Sequence, residues 1–442
     1  MDERWELLKL KNVTPPKQDG LLPPLFYEFI KRIANDDQSL IPSNSSSPRW
    51  YYTYLNLKLE AIDPQLLRYV KTATVTSGSQ EESTVFALFP TIVDLIKNTD
   101  HVSIATIAKE LKVRDQLQYT TEEAPAVYQL LFILIGLITF FYEPILSPEK
   151  GLLQINVGDA ENDKRKRRSL RGLTWSSEIT IDKGSKLSLA DLLRNLCGGK
   201  LPISYNAGPR VGTSGDILET TNLNYYTLSK VANIQILWVD SLLQHLDFDR
   251  RSKTLKIFRF PSFCYLLCFG DLDKTYLDRF FRIALDDGLD RTPNFTPADF
   301  FHEVIASYRM IFGQTKESWT LCRSVYGRTP TRAQIENGHD SLLTRLCSAS
   351  WSHEKIYDEM DAPDAKIVYS ATVDYPFFGN KLLLLREHVL MEVPHDIFTL
   401  WRDRRDINRF WTLYAVLIFG AIGVVLGVIQ VGLSTAQVVE AR

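Results

Sequence analysis

Charged residues are absent from the C-terminal part of the chain, from Phe410 to Val439. Residues Phe410 to Ile429 are almost wholly apolar, and a helix of that length crosses the hydrocarbon core of a bilayer, about 30 Å thick. Charge-free runs of this length are rare in soluble cores. The absence favours a transmembrane helix at 410–432, followed by a short tail at 433–442.

Cysteine is scarce, and the five residues are odd in number and scattered along the chain: Cys197, Cys264, Cys268, Cys322 and Cys347. Such spacing excludes a disulfide framework and fits reduced thiols in the cytosol. The N-terminus also lacks the basic start and apolar stretch of a secretory signal. We therefore expect no co-translational export.

A large net charge is also missing, since the formal charge is −2. A near-neutral chain has no global positive field, so we predict no nucleic-acid partner. The apolar content of 45% is enough for a folded body of about 400 residues ahead of the anchor.

Catalytic and metal-binding signatures are lacking too. His302-Glu303 and His353-Glu354 each begin a zinc-protease motif, but the second His of that motif is absent. Cys264 and Cys268 have no second pair of ligands nearby for a structural zinc. The sequence therefore predicts no catalytic, cofactor-binding or metal-binding residues, and an enzyme requires residues that converge from distant positions.

Arginine and tryptophan flank the apolar run. The predicted interfacial anchors are Trp401, Arg402, Arg404, Arg405, Arg409 and Trp411. Arginine on one side of a span predicts that this side is cytosolic, and tryptophan favours the interface. We therefore expect a single-pass, tail-anchored protein with a cytosolic body, in the endoplasmic reticulum or another internal membrane.

One face of the apolar run is small and polar. Its residues recur at spacings of three and four: Gly420, Gly423, Gly427, Gln430, Ser434 and Gln437. The GxxxG pair within this glycine stripe lets a second helix approach closely, which predicts self-association through the membrane. The alternative is that glycine is simply frequent in transmembrane helices.

A basic cluster follows three acidic residues in a charged loop. It consists of Lys164, Arg165, Lys166, Arg167 and Arg168. Such a cluster can contact anionic lipid, but the acidic residues before it weaken the local field, so a solvated loop is the favoured interpretation.

The body is predicted to be α+β and mainly helical, with a winged-helix-like N-terminal part. A loosely attached arm at 1–49 contains a short helix at 25–33, and a helical lobe spans 50–157. Within this lobe Ser103 caps a helix. The apolar run Ala124 to Tyr142 is either a second span or a buried helix, and the glutamates at both its ends favour burial.

The second lobe, at 158–326, is predicted to be α/β. It contains a long helix that buries Val231, Trp238 and Leu246, and then a strand from Thr254 to Phe258. A juxtamembrane helical segment at 327–409 leads to the anchor.

Two stretches resemble a known family. They are Leu400-Trp401-Arg402-Asp403-Arg404-Arg405-Asp406 with Phe410-Trp411, and His245-Leu246-Asp247-Phe248-Asp249 followed by Thr254-Leu255-Lys256-Ile257-Phe258. In these residues the chain resembles a set of uncharacterised filamentous-fungal membrane proteins. The resemblance covers the second half of the chain and implies a fungal origin and a membrane anchor.

Together these features predict a protein-interaction or adaptor module held at a membrane, with unidentified protein partners. The alternatives are a membrane-bound enzyme with a dispersed active site and a two-span protein in which 124–142 also inserts. A pocket of convergent titratable groups favours the enzyme, and a broad apolar surface patch favours the binding module.

Overall fold

The structure is a computed structural model that describes residues 23–33, 48–71, 84–156, 178–196, 216–268, 277, 297–327, 338–392 and 407–440. Over these residues the chain is mainly helical with a few short strands, and a long apolar helix lies at its C-terminal side. Both features agree with the prediction of a mainly helical body and one C-terminal apolar helix.

The first helices of the body pack around a single apolar helix. They are, in chain order, α1 (Pro24–Ile33), α2 (Arg49–Glu60), α3 (Pro64–Leu67), α4 (Leu88–Asn98), α5 (Ile104–Val113) and α6 (Ala124–Thr139), with a 3-10 turn at Thr84–Ala87. The Ser103 hydroxyl accepts a hydrogen bond from the Thr106 N–H at 3.2 Å, so the predicted cap of α5 is confirmed.

Helix α1 corrects the expectation of a loosely attached arm. Its apolar side, which includes Phe26, Phe29 and Ile33, is buried. The Phe26 ring meets the rings of Tyr51 and Phe86 edge to face, each at a centroid distance of 6.0 Å. This part of the arm therefore belongs to the core, because its aromatic face packs against α2 and the residues before α4. Residues 1–22 and 34–47 lie outside the described part of the chain.

Helix α6 is enclosed by the body. Every residue from Gln129 to Thr139 is buried. Gln129, the one strongly polar residue of the helix, donates to the carbonyl oxygens of Glu149 at 2.7 Å and Leu152 at 2.8 Å. At about 1.5 Å per residue the 16-residue helix is also shorter than a bilayer core. The interpretation of this run as a buried core helix is confirmed.

The C-terminal end of α6 connects the two predicted lobes. Phe140 adopts a left-handed backbone with φ 53° and ends the helix. Its carbonyl accepts the Leu242 N–H at 2.7 Å. Its ring lies within 4.7–6.5 Å of the ring centroids of Trp50, Tyr51, Tyr54, Phe258, Phe260 and Phe263. Residues from both predicted lobes therefore share one aromatic cluster.

Within the described ranges the strands are short and form three small sheets. They are β1 (Leu152–Gln154), β2 (Glu178–Thr180), β3 (Ile217–Glu219), β4 (Gln235–Val239), β5 (Phe248–Asp249), β6 (Thr254–Phe258) and β7 (Val368–Ser370). β1 pairs antiparallel with β2, and β3 pairs antiparallel with β7. In the third sheet β6 is central, parallel to β4 and antiparallel to β5.

The long helix predicted from Val231 to Leu246 is wrong, although the strand β6 is confirmed. A single π-helical turn at Thr227–Val231 ends before Asn233, whose φ of 54° breaks the helical path. The chain then enters β4, whose backbone pairs with β6 over five residues. Pairing with a strand further along the chain thus overrides the apolar spacing, which fits a helix by chance.

The later helices complete the body and end with the long apolar helix. They are α7 (Ile181–Gly184), α8 (Leu189–Leu196), α9 (Thr220–Leu223), α10 (Pro261–Cys268), α11 (Pro297–Tyr308), α12 (Lys316–Tyr326), α13 (Ser341–Ser348), α14 (Ile356–Glu359), α15 (Gly379–Met391) and α16 (Ile407–Glu440). A π-helical turn at Arg309–Gly313 follows α11, and a 3-10 turn lies at Trp351–His353. One hydrophobic cluster runs from Phe26 to Val389. The predicted lobe boundaries stay predictions.

The close packing of the backbone at Gly379, at the start of α15, is tested by adding a single methyl group there. A Cβ at this position would lie 1.9 Å from the Ala371 carbonyl oxygen, which is backbone and cannot rotate away. We expect Gly379→Ala to lower the free energy of unfolding by about 3 kcal/mol, measured by urea denaturation of the full chain in detergent. Lys109→Ala on an exposed side of α5 is the control and should change it by less than about 0.5 kcal/mol. Equal stability of the two variants would contradict the tight approach.

Candidate functional site

Helix α16 carries the apolar segment that the sequence predicts as an anchor. Its span Tyr414–Leu433 has 20 residues and a mean hydropathy of 2.5, and none of it is buried against the body. At about 1.5 Å per residue it reaches the thickness of a bilayer core, about 30 Å. The described residues therefore include a helix long and apolar enough to cross a membrane.

The residues of the glycine stripe lie along α16, and the helix continues through Gln437. A Cβ added at Gly420, Gly423 or Gly427 would meet nothing within 4 Å. The stripe is therefore open along these glycines. The side chain of Ser434 lies outside the described residues, and pairing of two such helices stays a prediction.

The predicted interfacial anchors are only partly described. Trp411 is 63% exposed, and its ring lies 6.4 Å from the Tyr414 ring at the start of the span. Trp401, Arg402, Arg404 and Arg405 lie outside the described residues, as does the side chain of Arg409. The basic cluster Lys164, Arg165, Lys166, Arg167 and Arg168 also lies outside them. The role of these residues at a membrane interface stays a prediction.

In the body, a cavity of about 310 Å³ lies between the three-stranded sheet and α13. Its described lining combines aromatic, titratable and thiol groups: Trp238, Arg259, Phe260, Cys322, Gly327, Gly338, His339, Asp340, Leu343, Thr344, Cys347 and Ser348. A volume of this size is at the lower end of small-molecule sites. The state of its titratable groups decides what chemistry it can support.

The Asp340 carboxylate is engaged in hydrogen bonds within the body. Its carboxylate accepts hydrogen bonds from the Ser262 N–H and the Ser262 hydroxyl, both at 2.7 Å, and from the Leu342 N–H at 2.9 Å. It thus caps the N-termini of α10 and α13 together. Burial raises the pKa of Asp340 to about 6, although these donors oppose the rise. The sequence signal for this role is an Asp directly before a helix.

Arg259 is held by a buried carboxylate. Its guanidinium pairs with Asp240, with one contact at 3.0 Å, and Lys58 binds the same carboxylate at 2.9 Å. Burial alone would raise the pKa of Asp240, but Arg259 and Lys58 outweigh burial and lower it. The charge of Arg259 is therefore already compensated, and sequence reasoning missed this cluster because its members are far apart in the chain.

Burial shifts the pKa values of His339 and of the Cys347 thiol. His339 Nε2 lies 2.7 Å from the Thr344 hydroxyl, and burial followed by the nearby Arg259 lowers its pKa. Burial raises the pKa of the Cys347 thiol, and its neighbour Cys322 raises it further. A thiol with a raised pKa is a weak nucleophile at neutral pH.

A Ser–His pair lies in the core, between Ser307 and His245. The Phe258 N–H donates to Nδ1 of His245 at 3.2 Å, so Nε2 carries the proton and donates to the Ser307 hydroxyl at 2.9 Å. The Ser307 hydroxyl in turn donates to the Val304 carbonyl at 2.6 Å. Burial and then Lys381 lower the pKa of His245. This imidazole cannot accept the serine proton, and the pair is a structural one.

The glutamates of the two incomplete zinc-protease motifs, Glu303 and Glu354, also have structural partners. The carboxylate of Glu303 accepts the N–H groups of Phe377 and Phe378 at 2.9 and 2.5 Å, at the start of α15. Glu354 pairs with Arg345 at 2.6 Å. Among the described residues no group of three or more His, Cys, Asp or Glu is placed to hold a metal ion.

Four large aliphatic residues are exposed on or next to the two-stranded ribbon β3–β7. Ile217 and Val368 are diagonal neighbours on its outer face, and Ile367 and Val373 flank β7. Their exposed fractions are 44, 48, 74 and 76%. The two strands are about 150 residues apart in the sequence, so short-range patterns give no signal for this patch. It is named here the ribbon patch.

No protein family, curated protein or solved structure matches this chain. The resemblance to filamentous-fungal membrane proteins stays a prediction.

Glu303 gives the body a pH dependence whose sign follows from its burial. Burial raises the pKa of this carboxyl from 4.5 to about 8, against two opposing backbone donors. Between these values the folded protein binds more protons than the unfolded chain, so its free energy of unfolding falls as pH rises. We expect the native protein to lose roughly 1 kcal/mol between pH 6.5 and 7.5 relative to the Glu303→Gln variant.

The measurement is chemical denaturation of the full chain in detergent at several pH values. Other titrating groups are common to both proteins and cancel in the difference. The exposed Glu60→Gln variant is the control and should follow the native protein. Parallel pH profiles for native protein and Glu303→Gln would contradict a raised pKa at this position.

Proposed function

We propose that this chain is a single-pass membrane protein, held by α16, whose body faces the cytosol and binds another protein. The contrast between two apolar helices supports the assignment of α16 as the membrane anchor. The span Tyr414–Leu433 is unburied, whereas α6 is enclosed by the body. An unburied apolar helix of this length needs a lipid environment, and the burial of α6 disfavours a second span.

The orientation follows from the arginines before the span. Arg402, Arg404, Arg405 and Arg409 lie within 12 residues of its first residue, Tyr414. Positive residues close to a span are retained on the cytosolic side, so they place the body there. Buried free thiols in the body fit the same compartment. An internal membrane such as the endoplasmic reticulum is the proposed location.

Binding is favoured over catalysis by the state of the polar groups. In the cavity Asp340, Arg259 and His339 are each engaged by a partner within the body. The ribbon patch, by contrast, exposes four large aliphatic residues that nothing in the described chain covers. Exposed apolar patches on folded domains mark contact surfaces. The ribbon patch therefore supports an interaction module.

The N-terminal helices support the same role. The order α4, α5, α6 and then β1 with β2 is that of a winged helix, which we propose for this part of the body. In a DNA-binding winged helix the third helix enters the major groove. Here that helix is α6, and its burial favours protein contact over nucleic acid. Self-association through Gly420, Gly423 and Gly427 belongs to the same proposal and is supported by the open glycine stripe.

The topology is tested by glycosylation mapping. An N-glycosylation acceptor tag is appended after Arg442, and an endoglycosidase-sensitive mass shift is measured in cells. We expect a shift that requires the tag, in a protein that resists carbonate extraction. The control carries the same tag before Met1 and should show no shift. A shift only with the N-terminal tag would overturn the cytosolic orientation, and loss of the protein on carbonate extraction would overturn the anchor.

The ribbon patch is tested by proximity labelling with a ligase fused to the full chain. We expect the double variant Ile367→Ser with Val373→Ser to lose at least fivefold in enrichment of the proteins that the native chain labels most. Val113→Ser with Val325→Ser removes two exposed valines elsewhere on the body and should retain the native profile. An unchanged profile for the ribbon variant would exclude the ribbon patch as the contact surface.

A further inference from the structure

Helix α15 is apolar on two opposite sides. Leu382, Leu385 and Val389 are buried in the core. On the other side Leu384, Leu390 and Met391 are 47, 49 and 76% exposed. An ordinary surface helix is polar on the side away from the core. These three exposed residues are named here the outer face of α15.

Glu387 lies three residues after Leu384 and four before Met391, so it is part of the outer face, but it and the neighbouring charged groups are paired. Arg250 contacts Glu387 at 3.3 Å, and Lys253 contacts Glu392 at 2.8 Å. Burial lowers the pKa of His388, so this side chain is neutral at physiological pH. The acidic residues of this surface are therefore each matched by a base, which reduces the cost of bringing the surface close to lipid.

A short stretch of chain connects the outer face to α16. Two of its residues, Leu390 and Met391, are in the last turn of α15, and α16 begins at Ile407. The 15 residues between them, even fully extended, span at most about 55 Å. A bilayer that holds α16 is thus tethered close to the outer face at a high effective concentration, whereas any other partner must be recruited.

We propose that the outer face of α15 docks on the bilayer interface, with Leu384, Leu390 and Met391 inserted among the lipid headgroups and upper acyl chains. The docking rests on the proposed anchoring by α16. Arg250 is exposed and pairs with Glu387 within this surface, and its long basic side chain reaches lipid phosphates when the surface docks. Because the surface charges are balanced, docking depends on apolar contact and needs no anionic lipid. The body is then held flat against the membrane in one orientation.

The test uses the full chain reconstituted into phosphatidylcholine vesicles. Met391→Cys is labelled with an environment-sensitive fluorophore in a Cys197→Ser background, since the four described cysteines are buried. Lipids that carry a nitroxide near the headgroup should quench this label at least twofold. The same label at Val113→Cys, an exposed residue of α5, should not be quenched.

Two further variants separate docking from simple tethering. Leu384→Ser with Leu390→Ser should reduce quenching at position 391 to the level at position 113, whereas Ile367→Ser with Val373→Ser, also exposed aliphatic residues, should leave it unchanged. Equal quenching in both double variants would overturn an apolar docking surface. A blue-shifted label that is not quenched, and whose shift depends on the protein-to-lipid ratio, would mean that a second copy covers the face and would also overturn the proposal.

Insertion of α16 into the bilayer is measured separately. The fluorophore is placed at Val424→Cys, and its quenching is measured with lipids that carry a nitroxide deep in the acyl chain. Quenching at 424 without quenching at 391 would overturn docking and leave the anchor in place. Absence of quenching at 424 would overturn the anchor itself, and the docking with it.

Discussion

The burial of α6 is the constraint on which the rest of the body depends. A helix that is apolar on every side must be covered on every side, and its one strongly polar residue, Gln129, must find partners. The chain satisfies this with helices from before α6, and with the strands and helices from after it that meet at Phe140. The aromatic cluster around Phe140 thereby joins distant segments into one core.

The buried ionisable groups follow from the same architecture. Once the helices surround α6, the N-termini of later helices lie inside the body, and their N–H groups need acceptors. Asp340 serves α10 and α13, and Glu303 serves α15. These carboxyls have raised pKa values because they are buried, not because a substrate needs them. The raised pKa values of Asp340 and Glu303 therefore mark helix junctions, and a catalytic role does not follow from them.

The sequence predicted the elements whose signals are local. The cap at Ser103, the strand Thr254–Phe258, the buried character of residues 124–139 and the long apolar C-terminal helix follow from neighbouring residues alone. The failure at β4 is different, because that strand is stabilised by pairing with β6, which no local period reveals. The cavity, the ribbon patch and the Arg259–Asp240 pair were missed for the same reason, since each joins residues that are distant in the chain.

The ribbon patch and the outer face of α15 differ in their position along the chain, and we assign them different partners for this reason. The ribbon patch lies on β3–β7 and precedes α15 in the chain, while the outer face of α15 is the last described surface before α16. The covalent link between α15 and α16 raises the effective concentration of the bilayer at the outer face of α15. It gives no such advantage to a surface that the link does not turn toward the membrane. If α15 rests on the bilayer, the orientation of the body is set, and a recruited protein meets whichever apolar surface still faces the cytosol. The pairing of Glu387 and Glu392 with bases supports this division, because unpaired carboxylates beside α15 would oppose contact with lipid.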